Sequence, residues 1–187
     1  MTAAPDTEVR FEEWDGAAAL DRLDDLIRIY KAAFLDVFED DPDRAAADRR
    51  LHVTGHLHRN DVRVLGALDD DRLVGMTYVV PGRRGHWWHD VVWSSLPTAQ
   101  AQEWLSDVVE IVELHVVPAY QGRGIGRRLL RTALRDAPQR TAALSALDDP
   151  TLPARHLYAS EGFTPLLESF RFPGGLTRYA VLAKRLR

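Results

Sequence analysis

Leu20, Leu23, Leu26, Ile27, Tyr30 and Phe34 recur at three- and four-residue intervals from Ala17 onward, which lays them along one face of a helix. A second helix is expected from Pro42 to about Leu57. Proline suits a first turn, and Glu39, Asp40 and Asp41 stand just ahead, where a helix dipole favours negative charge. Residues 9–14 are a short strand candidate. Residues 63–68 and 72–80, apolar and partly β-branched runs parted by Asp69, Asp70 and Asp71, read as an antiparallel hairpin. The stretch 82–97 reads as irregular and aromatic, holding Trp87, Trp88 and Trp93, with a short helix over 98–107 after it. Residues 108–117 form the strongest strand. With a helix over about 124–135 and a strand near 141–146 they make a βαβ unit, whose crossover should be right-handed. A helix at 153–160, with proline in its first turn, and a hairpin of 163–172 with 177–186 complete the order. Strands and helices so arranged imply an α/β (α+β) class, a mixed and largely antiparallel central sheet flanked by helices.

With 187 residues the chain is long enough to bury one core, and 45% hydrophobic against 28% charged residues removes it from the disordered regime. The expectation is one domain over 8–187 after a flexible end at 1–7. The complete lack of cysteine excludes disulfides, thiolate metal sites and any cysteine nucleophile. A formal charge of -4 disfavours a nucleic-acid partner, and no apolar run reaches membrane-spanning length, so a cytoplasmic protein with no membrane partner is expected, as a monomer or homodimer.

The strand at 108–117 and the following helix are joined by Tyr120-Gln121-Gly122-Arg123-Gly124-Ile125-Gly126-Arg127-Arg128. Glycines let the backbone take conformations other residues resist and let a ligand approach its N–H groups. The helix start adds unpaired N–H groups and a positive dipole end, and Arg123, Arg127, Arg128 and Arg131 concentrate positive charge in an acidic protein. A diphosphate suits such a turn. Two familiar patterns fail here. The dinucleotide fingerprint GxGxxG meets Arg127 or Leu129 where glycine is required, and the P-loop meets Arg127.

Gln121-x-x-Gly124-x-Gly126, preceded by Glu113-Leu114-His115-Val116-Val117-Pro118, resembles the acetyl-CoA-binding motif of the GCN5-related N-acetyltransferase (GNAT) superfamily. Ala154-Arg155-His156-Leu157-Tyr158-Ala159-Ser160-Glu161-Gly162-Phe163 is similar to a second segment of that family, A-x-x-L-Y-x-x-x-G-F. The resemblance implies acetyl-CoA as cofactor, its diphosphate held by backbone N–H groups of Gln121, Gly122, Arg123, Gly124, Ile125, Gly126 and Arg127 beside Arg128. It also implies a pantetheine arm paired strand-like with Leu114, His115 and Val116, and a splay between the strands at 108–117 and 141–146. It implies direct transfer of acetyl to a primary amine, on a small molecule or a peptide, within a ternary complex.

Such a reaction needs a base for the acceptor ammonium and an acid for the departing sulfur. The resemblance gives Tyr158 the acid role. For the base it points to Glu110, eleven residues before Gln121, with Glu113 or a water chain as alternatives. On a regular strand the two glutamates face opposite sides. Where the family often has asparagine this chain has Thr151, which loses the amide's paired donor and acceptor. Acceptor recognition is expected from 82–97, with His86, Trp87, Trp88 and His89, and from the first two helices. His52, His56 and His58 lack the glutamate of a zincin helix, and no metal is expected. The alternative reading is a non-catalytic acyl-CoA-binding or sensor module.

Overall fold

The structure, a computed structural model, describes residues 9–33 and 42–187. The loose end expected at 1–7 lies outside them, as do Phe34 and the acidic lead-in of Glu39, Asp40 and Asp41. Among the described residues the strands are β1 (Arg10–Trp14), β2 (Arg63–Asp69), β3 (Arg72–Gly82), β4 (Val108–Val116), β5 (Thr141–Leu147), β6 (Thr164–Phe170) and β7 (Tyr179–Arg185). The α-helices among them are α1 (Gly16–Leu20), α2 (Leu23–Ala33), α3 (Pro42–Leu57), α4 (Trp87–Ser95), α5 (Thr98–Leu105), α6 (Ile125–Arg135) and α7 (Pro153–Ser160). Hydrogen bonding links the strands in the order β1-β2-β3-β4-β5-β7-β6. The pairs β1–β2, β5–β7 and β6–β7 are antiparallel, and β4–β5 is parallel.

Two expectations about local structure are corrected. The first amphipathic run is two helices, α1 capped by the Asp15 carboxylate, which accepts from Ala18 N at 2.9 Å, and α2 beginning after a turn at Asp21 and Arg22. The stretch 82–97 is not irregular throughout: α4 occupies 87–95 because Trp88, Val92 and Trp93 recur at helical spacing and pack on apolar neighbours.

The chain forms two compact units, one made of Met1–Tyr78 with Glu113–Ala133, the other of Val79–Val112 with Leu134–Arg187. In the first, β1 runs against β2 from Arg10 opposite Leu68 to Trp14 opposite Val64. Leu26, Ile29 and Tyr30 of α2 and Val53 and Leu57 of α3 are buried in its core, as are Leu129 and Leu130 of α6. In the second, β5 and β7 pair along all seven residues of each, while β6 reaches β7 through register shifts. Its core gathers Val92, Leu96, Leu105, Val108, Ala143 and Val181, with Trp88, Trp93 and Trp104 packed against it. The β4–β5 ladder covers only Val108–Glu110 against Thr141–Ala143, although β5 continues to Leu147. Burial of these side chains supplies the main force for folding, about 1.5–3 kcal/mol for each large aliphatic residue.

Candidate functional site

At the end of β4 the chain makes a short 3-10 turn over Pro118–Tyr120, held by Tyr120 N to Val117 O at 2.9 Å and Gln121 N to Pro118 O at 3.2 Å. Side chains fasten it further. Gln121 Nε2 donates to Val116 O at 2.9 Å, Arg123 Nη2 donates to Ala119 O at 3.1 Å, and the Tyr120 hydroxyl donates to the Asp69 carboxylate. That carboxylate holds the proton on Tyr120, raising the phenol above its ordinary pKa. Gly122 and Gly124 then take φ of 74° and 80°, where L side chains are strained. A Cβ on either would meet no heavy atom within 4 Å, so the backbone at both faces open space.

Gly124 O accepts from Arg128 N at 3.0 Å, which makes Gly124 the cap of α6 and leaves the first N–H groups of that helix without intrahelical acceptors. Gly126 lies inside α6 and is not among the glycines with positive φ. Ile125 is buried and anchors the helix start in the first unit. The Arg128 guanidinium lies 4.0 Å over the Phe11 ring of β1 and that of Arg123 4.9 Å over Tyr120, which keeps the Arg123 charge at the turn. Open backbone, donors and cations together fit a diphosphate.

The same unit holds a polar cluster around the buried Glu113 carboxylate. Glu113, 5% exposed, accepts from His115 Nε2 on one carboxylate oxygen, and its other oxygen lies 2.9 Å from Arg49 Nη1. Thr77 Oγ1 donates to the Glu113 carbonyl at 2.7 Å, fixing β4 beside β3 at this point. The Arg49 guanidinium sits 5.0 Å over the Tyr30 ring, and Tyr30 meets His115 edge-on at 5.6 Å. His56 Nδ1 lies 3.1 Å from the Tyr78 hydroxyl. Burial pushes the Glu113 carboxyl upward, but the charge and hydrogen bond of His115 and the charge of Arg49 outweigh it and hold Glu113 below the ordinary carboxylate value. Burial likewise opposes the charge on Arg49, and Glu113 with Tyr30 and Tyr78 outweighs it, raising Arg49 above its ordinary value. Burial and the charge of Arg59 hold His56 below the ordinary histidine value.

Sequence reasoning singled out Glu113 and His115 but missed Arg49, Tyr30 and Tyr78, and treated His56 only as a metal candidate. A signal was present: Arg49 and His56 fall at i and i+7 around buried Val53 at i+4, polar positions inside an apolar helical stripe. The neighbouring histidines do not converge with His56. His52 and His58 each donate from Nδ1 to a carbonyl of their own chain segment, Asp48 O and Thr54 O, at 2.8 Å.

Leu114, His115 and Val116 are half-buried along β4. In the second unit, Glu110 is buried and pairs in register with Ala143. Tyr158, on α7, is 7% exposed with its ring 5.7 Å from Phe163 in an edge-on contact. The Thr151 hydroxyl and N–H both donate to Asp149 Oδ1, at 2.7 and 2.9 Å, so this side chain is taken up by its own turn. Those bonds, the hydroxyl's first, hold the Asp149 carboxyl below its ordinary pKa. Of the aromatic residues on α4, Trp88 Nε1 donates to Ser145 Oγ at 2.6 Å and His89 Nε2 to Leu105 O at 3.0 Å, while Trp87 is 61% exposed. His86 caps α4.

A glycine turn leading into a helix start, set on a mixed sheet, makes an anion-binding site. Residues 23–163 match the acetyltransferase (GNAT) family, and the chain belongs to it. Among curated proteins it is similar to the GCN5-like protein acetyltransferase Rv2170 of Mycobacterium tuberculosis, 29% identical over 126 residues. That alignment covers 64% of this chain and 61% of the relative, so the match spans under two thirds of the relative's length. The fold is similar to PaiA N-acetyltransferase of Thermoplasma acidophilum in complex with coenzyme A, with a TM-score of 0.63 and 15% identity over 95% of this chain and 99% of that one. It is also similar to yncA of Salmonella typhimurium with its cofactor acetyl-CoA, with a TM-score of 0.62 and 17% identity over 96% and 95%. Among the described residues no helix is long and apolar enough to cross a membrane.

Proposed function

We propose that this protein is an N-acetyltransferase that moves acetyl from acetyl-CoA directly to a primary amine, of a small molecule or a peptide, with both substrates bound. The observation that carries the reading is the open backbone at Gly122 and Gly124 beside the start of α6, where added Cβ atoms would occupy the space a diphosphate needs. Bound acetyl-CoA supplies an acetyl group activated as a thioester. The N–H groups from Gln121 to Arg127 hold its diphosphate, with Arg128 adjacent, and the backbone of Leu114, His115 and Val116 aligns its arm. The lack of cysteine, which removes the usual acyl-enzyme nucleophile, supports direct transfer.

Tyr158 holds at its hydroxyl the proton that the leaving sulfur takes. For the acceptor's ammonium proton β4 offers two routes: Glu110 itself, or water leading to the charged cluster around Glu113. Glu113 is a poor terminal base, since its partners stabilise the carboxylate and so reduce its basicity. Exposed Trp87 and the α2–α3 pair are the surfaces proposed to meet the acceptor.

The test is thiol release from acetyl-CoA over a panel of polyamines, amino acids, aminoglycosides and peptides with free N-termini or lysines. Release that depends on one amine class supports the reading and names the acceptor. Binding of acetyl-CoA without release across the panel would leave a non-catalytic acyl-CoA sensor in its place.

A further inference from the structure

The bend that carries Gly122 and Gly124 is pinned at both ends. Val117 N donates to Val74 O of β3 at 2.9 Å where the bend begins, and buried Ile125 anchors it where α6 begins. Between these points the bonds made by Gln121 and Arg123 stay within five residues of chain, reaching Pro118, Val116 and Ala119. Tyr120 reaches further: its hydroxyl donates to Asp69 Oδ2 at the end of β2, 51 residues away in sequence. Asp69 sits on a fixed support, since the next residue, Asp70, takes a φ of 51° in the β2–β3 turn and its carbonyl accepts from Arg10 Nη2 of β1 at 3.2 Å. The other Asp69 oxygen, Oδ1, is buried and has no hydrogen-bond partner among the described residues.

A carboxylate beside a site for a diphosphate repels the ligand, and a buried oxygen left unpaired lowers stability. Asp69 does both, so its presence is explained by what it does for the bend. Gly122 and Gly124 leave the main chain free to take many conformations, whereas N–H groups grip an anion well only when their directions are set before it arrives. Fixing the Tyr120 hydroxyl sets the main chain that leads into Gln121. It also sets a charge, because the Arg123 guanidinium lies 4.9 Å over the Tyr120 ring. All of these residues belong to the first unit. We infer that Asp69 is a positioning residue for CoA binding: through the Tyr120 hydroxyl it holds the glycine bend and Arg123 in the arrangement that receives the diphosphate. The inference rests on the acetyl-CoA reading and adds to it a residue that acts through another rather than on the cofactor.

The test compares wild type with Asp69→Ala, Tyr120→Phe and the variant carrying both, by calorimetric titration with CoA and amide NMR titration with pantetheine. Phe keeps the ring beneath Arg123 and loses only the hydroxyl, so Tyr120→Phe carries the test should Asp69→Ala fold poorly. Each single change should weaken CoA binding about tenfold. The double variant should stay within about threefold of either single one, because both changes remove the same bond. Pantetheine, which lacks the diphosphate, should bind every variant within about twofold of wild type. With the amine identified by thiol release, KM for acetyl-CoA should rise about tenfold in Tyr120→Phe while kcat changes less than about twofold. Tighter CoA binding by Asp69→Ala would show the carboxylate acting by its charge alone and would overturn the assignment. Unchanged CoA binding in Tyr120→Phe, full additivity in the double variant, or an equal loss of pantetheine affinity would each do the same while leaving acetyl transfer standing. Wild type that binds no CoA would remove both.

Discussion

Replacing Glu113 by Gln tests the charged cluster directly. Glu113 is 5% exposed and bonded to His115, while its Arg49 partner keeps 34% of its side-chain surface in contact with solvent. Removing one member of a buried pair costs about 3–5 kcal/mol because the other charge is left uncompensated. Water reaching Arg49 offsets part of this, which places the expected loss near the lower end, about 3 kcal/mol. For a chain of this length each kcal/mol moves the melting temperature by about 2–4 °C, so a fall of roughly 6–12 °C is expected at pH 7. The sign with pH follows from the direction of the shift. A carboxyl held below its unfolded value of 4.5 contributes its full stability above about pH 4.5 and loses it as pH falls through the lower folded value. Differential scanning fluorimetry of both proteins from pH 3 to 8 should show the gap constant down to about pH 5 and closing below it. The double variant Arg49→Met with Glu113→Gln should lose at least about 1 kcal/mol less than the two single losses added together. A wild-type-like melting temperature at pH 7, or a gap that persists unchanged at pH 3, would refute the view of Glu113 as a charge held by its partners.

Three further outcomes are expected. Tyr158→Phe should lower kcat by about 10²-fold while changing CoA affinity less than about twofold, as read by steady-state kinetics and calorimetry; unchanged turnover would remove its acid role. Gly124→Glu should weaken CoA binding by ~100-fold or more, since it puts bulk and negative charge where φ is 80° and nothing else fills the space. Asp148→Ala should lower stability by about 2 kcal/mol, seen as a melting shift of roughly 4–8 °C, because its carboxylate accepts from Ser169 N at 2.7 Å and Ser169 Oγ at 3.1 Å and pairs with Arg155 at 3.3 Å.

β4 is legible from its β-branched run, α6 from its leucines at helical spacing after Gly124, and α7 from proline in its first turn and Gly162 just beyond its end. Periodicity misjudged 82–97, where Gly82, Gly85 and three tryptophans suggest a loop; α4 forms because Val92 and Trp93 find a core that only the folded chain assembles. It also ran α1 and α2 together, since leucines at 20 and 23 keep the helical spacing across the turn that separates them. The turn at 121–126 was readable because its chemistry is contiguous in sequence. The cluster was not, because Tyr30, Arg49, His56, Tyr78 and Glu113 come from four elements spread over more than eighty residues, and only the packing of α2 and α3 against the strands joins them. Glu113 and His115, two apart on one strand, were the part of that cluster within reach of a sequence pattern.

Backbone amides at one bend are the proposed grip on the diphosphate, and amide NMR reads those groups individually. Titrating the labelled protein with CoA should shift the N–H resonances of Gly122, Gly124 and Gly126 strongly, and titrating with pantetheine, which lacks the diphosphate, should leave them in place. Equal shifts with both ligands, or none with CoA, would contradict it.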